Sequence, residues 1–126
     1  MWTSARQDDM TAPYVPARRA GDWLVISGQI GLGPDGLADD FAGQLRQALA
    51  NLDELLAANG ATSAQVAKAT VFLTDMDDYA ALNELYTGYF AEPRPARTCV
   101  AVAALPLGAL VEVEAWVFTG DAGMPE

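Results

Sequence analysis

Five side chains in this sequence could carry chemistry: Arg97, Glu112, Glu114, Cys99 and Ser27. Arg97 follows Pro95 and Ala96 at the entry to an apolar run. Its guanidinium stays charged at any physiological pH and offers parallel donors that fit a carboxylate; it fits an acid of its own protein equally well, including one across a subunit boundary. Glu112 and Glu114 are two apart and share one face of an extended strand. A carboxylate there can orient a water or take a proton, or it can be a solvated or ion-paired group. Cys99 shares the alternation of Arg97, but the chain has no histidine to form a Cys-His pair, and the bland reading is a small buried hydrophobe. Ser27, before Gly28, lacks the partners of a hydrolase nucleophile and remains useful as a hydrogen-bond donor.

Other clusters fail their spacing tests. Gly31, Gly33 and Gly36 match neither a dinucleotide nor a P-loop pattern, and Asp75, Asp77 and Asp78 are too crowded for a calcium loop. Without histidine the commonest zinc ligand is also missing, so the expectation is no cofactor and no metal. Seventeen acids against seven bases leave a net charge of -10, which repels phosphate backbones and argues against nucleic acid as a partner. The longest apolar run, 100–105, is far too short to cross a membrane. The N-terminal stretch reaches acidic and polar residues before any apolar run, unlike a signal peptide. One cysteine cannot form an internal disulfide and suits a reducing compartment. Together these point to a soluble cytoplasmic protein of one domain spanning 1–126, with short flexible termini around 1–11 and 120–126.

The elements that must position these residues follow from periodicity. Residues 1–20 read as a tail that becomes ordered near Tyr14. A strand of β-formers begins at Trp23 and stops at Gly28, and Pro34-Asp35-Gly36 marks a tight turn. Phe41, Leu45, Ala48, Leu49, Leu52, Leu55 and Leu56 form one helical stripe, capped by Asp39 or Asp40 and closed by Gly60 in a left-handed conformation. Thr62 and Gln65 have capping-box spacing. Residues 67–74 predict a strand with Ala67, Ala69, Val71 and Leu73 on one side. A second helix carries the stripe Tyr79, Leu82, Tyr86, Tyr89 and Phe90 and is limited by Pro93. Residues 98–104 and 110–118 predict the last strands, and their proximity suggests an antiparallel pair. The fold class is α/β (α+β): a mixed sheet with two helices packed on one face. On the last strand Val111, Val113, Ala115 and Val117 face the helices, while Glu112, Glu114, Trp116 and Phe118 form a surface that calls for a second copy or a covering hairpin.

These residues resemble the reactive intermediate deaminase (Rid) family, also called the L-PSP endoribonuclease-like family. The matching blocks are Ala12-Pro13-Tyr14, Ser27-Gly28-Gln29-Ile30, Lys68-Ala69-Thr70-Val71-Phe72, Asn83-Glu84-Leu85-Tyr86, Pro95-Ala96-Arg97-Thr98-Cys99-Val100, and Leu105-Pro106 followed by Val111-Glu112-Val113-Glu114-Ala115. The resemblance implies a chorismate-mutase-like homotrimer with ligand clefts between subunits, and cofactor-free hydrolysis of reactive 2-imino acids to 2-keto acids and ammonia. It implies that Arg97 recognises the substrate carboxylate and Glu112 positions water. It places Tyr14, Ser27, Asn83, Tyr86 and Cys99 in the cleft, leaves Glu114 structural, and marks the 91–94 connection as shorter than in many members. A noncatalytic sensor of small carboxylates or ketoacids is the alternative.

Overall fold

The computed structural model describes residues 12–120. The expected flexible termini lie outside that range apart from Gly120. Seven strands and two long helices follow in the order β1 (Ala17–Ala20), β2 (Trp23–Ile30), β3 (Leu32–Gly33), β4 (Gly36–Leu37), α1 (Phe41–Ala58), β5 (Val66–Leu73), α2 (Tyr79–Tyr89), β6 (Ala96–Ala101) and β7 (Val111–Phe118). Five strands form a mixed sheet in the order β1-β2-β7-β5-β6, and β3 and β4 form a separate small hairpin. Both helices cover one face, the arrangement that periodicity predicted.

Local chemistry explains the helix boundaries. Asp40 caps α1, its Oδ1 accepting from the Gly43 amide at 2.8 Å, and Gly60 takes φ +73° after the last turn. Its amide donates to the Ala57 carbonyl and the Ala61 amide to the Leu56 carbonyl, which satisfies carbonyls that the helix end leaves free. The Thr62–Gln65 capping box is present at a short 3-10 turn. The core lies between α1, α2 and the inward residues of the sheet, where Leu45, Leu52, Leu56, Val71, Val111, Val113 and Val117 are fully buried. Burying side chains of this size contributes about 1.5–3 kcal/mol each before the entropy of ordering them is set against it.

Four expectations need correction. Residues 17–20 are no tail: β1 pairs antiparallel with β2 through a turn at Gly21, φ +61°. An edge strand whose two arginines both face water carries no apolar alternation to reveal it. β2 does not stop at Gly28 but runs to Ile30, because a register irregularity between Ile26 and Gln29 absorbs the glycine. A similar shift between Val66 and Lys68 turns Val66 inward and leaves Ala67 exposed.

The last two strands are not neighbours. β6 pairs parallel with β5, as a helical crossover requires, while β7 pairs antiparallel with β5 on its other side. The connection 102–110 passes over the end of β5, held there by the Val102 amide on the Leu73 carbonyl (2.8 Å) and the Thr74 amide on the Leu110 carbonyl (3.3 Å).

Candidate active site

The sheet sorts the candidate residues into two groups on opposite faces. Arg97 is in register with Ala69, and Cys99 with Val71; both partners point into the core. Arg97 and Cys99 therefore lie on the helix side, at the exposed edge strand β6. Glu112 alternates with the buried Val111 and Val113 and is in register with Phe72, so it leaves the sheet on the helix-free side. Within one chain the two residues expected to act together stand back to back.

On the helix side, α2 presents three groups to the guanidinium of Arg97. Its Nη2 donates to Asn83 Oδ1 at 2.8 Å and to the Tyr79 hydroxyl at 3.2 Å. The guanidinium carbon lies 4.7 Å from the centre of the Tyr86 ring and 5.5 Å from that of Tyr79, both within cation–π range. Tyr79 is 41% exposed, because it belongs to this arginine cage and not to the core stripe expected for it. Tyr86 is 4% exposed, and its buried hydroxyl has no hydrogen-bond partner among the described residues. Burial pushes the Tyr86 hydroxyl pKa up, against the pull of Arg97 and Arg94.

All of these partners are neutral. The one ion pair among the described residues joins Arg94 to Glu92 at 3.0 Å, so no described acid satisfies Arg97. Arg94 also donates from Nε to the Phe90 carbonyl, closing the end of α2. Its charge is thereby directed to its own loop. Cys99 sits half-buried against the core; burial raises its thiol pKa while Arg97 pulls the other way, which keeps it a thiol at neutral pH.

On the helix-free side, Tyr14, Ser27, Gly28, Pro106 and Glu112 line a recess of about 240 Å³. Gly28 makes room for the acid: a Cβ built there would collide with the Glu112 carboxylate. Burial raises the Glu112 pKa, and the nearby charge of Glu114 raises it further, so its proton affinity is that of a group suited to exchanging protons nearer neutrality. Gln44, only 3% exposed, steadies the approach to β7: its Nε2 donates to the Ala38 carbonyl at 2.9 Å, and its Oε1 accepts from the Leu110 amide at 2.7 Å.

Sequence reasoning named Arg97, Glu112, Tyr14, Ser27, Asn83, Tyr86 and Cys99, but it did not separate them by face. It missed Tyr79 and Pro106 as site residues, and Gly28 as the cradle of an acid. The Ser-Gly-Gln and Leu-Pro blocks contained the signal for the last two. Among the described residues no group of three or more His, Cys, Asp or Glu could hold a metal ion, and no helix is long and apolar enough to cross a membrane.

The chain is similar to known proteins in sequence and in fold. The model of the family described as Endoribonuclease L-PSP matches residues 5–119. A RutC family protein of Pyrococcus horikoshii is 43% identical over 106 residues, covering 82% of this chain and 84% of its own. A mouse protein named 2-iminobutanoate/2-iminopropanoate deaminase is 41% identical over 111 residues, covering 86% of this chain and 82% of its own. The crystal structure of RidA from the Antarctic bacterium Psychrobacter sp. superposes with a TM-score of 0.83 at 38% identity, covering 86% of this chain and 89% of that one.

Proposed function

The chain belongs to the Endoribonuclease L-PSP (RutC/Rid) family, and from that premise we propose that it hydrolyses reactive 2-imino acids to 2-keto acids and ammonia. The observation that carries the proposal is a pair of groups: a cation held only by neutral partners, Arg97, and an acid raised in pKa inside a recess, Glu112. A small substrate with a carboxylate at one end and an electrophilic carbon beside it complements both.

In this reading the guanidinium of Arg97 binds the substrate carboxylate, and Asn83, Tyr79 and Tyr86 hold the guanidinium in place. Glu112 accepts a proton from a water as its oxygen bonds to the imine carbon. That proton passes to the nitrogen to give the carbinolamine; its hydroxyl then gives up the second proton, again through Glu112, to the nitrogen as the carbon–oxygen double bond forms and the carbon–nitrogen bond breaks, so that ammonia leaves a keto group behind. Cys99 lines the Arg97 side without a covalent role. A single cysteine suits the reducing, cytoplasmic compartment in which we place the protein.

Because Arg97 and Glu112 leave opposite faces of one sheet, both can reach one substrate only where two copies meet. Trp116, 46% exposed, and Trp23 stack edge to face on the helix-free side, centroids 6.3 Å apart; a second copy seated there removes this aromatic surface from water. A homotrimer with clefts between subunits, the geometry implied by the family resemblance, meets both needs. RNA is a poor substrate on charge grounds, whatever the family is called, since a chain of net charge -10 gains nothing from counterion release on RNA.

The test generates short-lived imines from an amino acid with a separate dehydratase or oxidase, then follows imine decay and keto-acid formation with and without the purified protein. Acceleration that falls by roughly ten-fold or more in a correctly assembled Arg97→Ala supports the proposal. Binding of small carboxylates without acceleration makes the protein a sensor, and cleavage of RNA by the purified protein but not by a site variant reverses the judgement against RNA.

A further inference from the structure

Ser27 was expected to offer its hydroxyl to a ligand, but that proton already has an acceptor. Ser27 Oγ donates to the Val15 carbonyl at 2.7 Å, and the Ser27 amide donates to the Pro16 carbonyl at 2.9 Å. A hydroxyl has one proton, so toward the recess Ser27 retains only lone pairs. The carbonyls it binds belong to the irregular segment just before β1, the same segment that brings Tyr14 to the recess wall. Pro13 and Pro16 contribute no amide there, and β1 pairs with β2 only from Ala17 onward. The Val15 carbonyl therefore lies beyond the regular ladder.

The neighbours of Ser27 serve the same arrangement. At the irregularity in the β2–β7 pairing, the Ser27 carbonyl is taken by Gln29 Nε2 at 3.0 Å. Gly28, between them, leaves room for the Glu112 carboxylate. The three residues of Ser27-Gly28-Gln29 thus divide the work, since the first ties down the N-terminal segment, the second admits the acid, and the third satisfies the backbone of the first.

We propose that Ser27 is a positioning residue for Tyr14: its hydroxyl latches the Val15 carbonyl and so holds Tyr14 against the wall of the Glu112 recess, and it makes no donor contact with substrate. The proposal rests on the recess being the substrate site, so its test includes a readout independent of activity.

Amide hydrogen exchange over peptides spanning 12–20 is compared in the parent, Ser27→Ala and Ser27→Thr. In parallel, kcat/KM for imine hydrolysis is measured in Ser27→Ala, Tyr14→Ala and the double variant. A latch predicts exchange at Tyr14, Val15 and Ala17 that is roughly three- to ten-fold faster in Ser27→Ala, the worth of one ordinary hydrogen bond, with protection restored in Ser27→Thr. It also predicts that the loss of kcat/KM caused by Ser27→Ala vanishes when Tyr14 is already alanine, because the two substitutions remove one interaction. Unchanged exchange in Ser27→Ala, or losses that multiply in the double variant, overturns the latch. Faster exchange in a protein that accelerates no imine leaves the latch standing and removes the proposed function.

Discussion

Replacing Gly28 by alanine should separate catalysis from folding. A Cβ at Gly28 would stand 2.6 Å from the Glu112 carboxyl carbon and 2.9 Å from its Cγ, whereas carbon atoms pack at about 3.5–4.0 Å. The glutamate must retreat by roughly 1 Å, and a displacement of that order at a reacting group costs about 100-fold in rate. The fold should tolerate it. The atoms met belong to the end of a flexible side chain, and Gly28 is not among the glycines with positive φ, so alanine also gains about 0.4–1 kcal/mol from the stiffer unfolded chain. Gly31 is the control: a Cβ there meets the backbone of Gln44, with the carbonyl carbon at 2.8 Å, and α1 cannot yield cheaply. Gly31→Ala should lose about 1–3 kcal/mol of stability. Thermal melting and kcat for imine hydrolysis, measured together, decide the matter. A Gly28→Ala protein that melts like the parent and keeps the parental kcat would refute the importance given to the position of Glu112, and one that fails to fold would refute the reasoning about the cradle.

Glu112→Gln should lower kcat by roughly 100-fold or more and yet raise the melting temperature at neutral pH. The raised pKa of Glu112 means that the native state holds its proton more tightly than the unfolded chain. Stability from this group therefore falls as pH rises from the ordinary carboxylate range through the raised value. The advantage of glutamine should grow over that window and vanish in acid, which melting curves across pH would detect. Arg97→Ala should weaken kcat/KM by roughly 10- to 150-fold, the worth of a hydrogen bond to a charged group, and Arg97→Lys should recover little because it lacks the planar fork; steady-state kinetics with assembly mass measured alongside is the check. Cys99→Ser should stay within a few-fold of the parent in kcat, and alkylation of Cys99 should be slow at pH 7 because burial holds it as a thiol.

The parts of this fold legible in the sequence are those governed by nearest neighbours. Asp40, Gly60 and the Thr62–Gln65 pair announce helix ends through side-chain and backbone chemistry that acts over three or four residues, and the alternation of β7 names its buried face. Strand order is a different matter. Nothing in 98–118 indicates that β5 slides between β6 and β7, because pairing partners are chosen by how α2 and the 102–110 connection route the chain. The same gap hid the separation of Arg97 from Glu112: each residue's type and strand were readable, but their relative face depends on register with β5. Gly28 and Ser27 were visible as a motif. Their roles were not, since a cradle for Glu112 and a latch for Val15 exist only once distant segments meet.

The central claim, that Arg97 of one chain and Glu112 of another serve a single substrate, is tested by mixing defects. Arg97→Ala and Glu112→Gln chains, each strongly impaired alone, are co-expressed in equal amounts and the assemblies assayed for imine hydrolysis at a substrate concentration well below KM. If each site draws one residue from each of two neighbouring copies, random mixing rebuilds about one site in four, and the mixture recovers about a quarter of the parental rate per chain. A mixture no more active than the average of its two components, with hybrid assemblies confirmed by mass, would show that no site is shared between chains and would contradict the account.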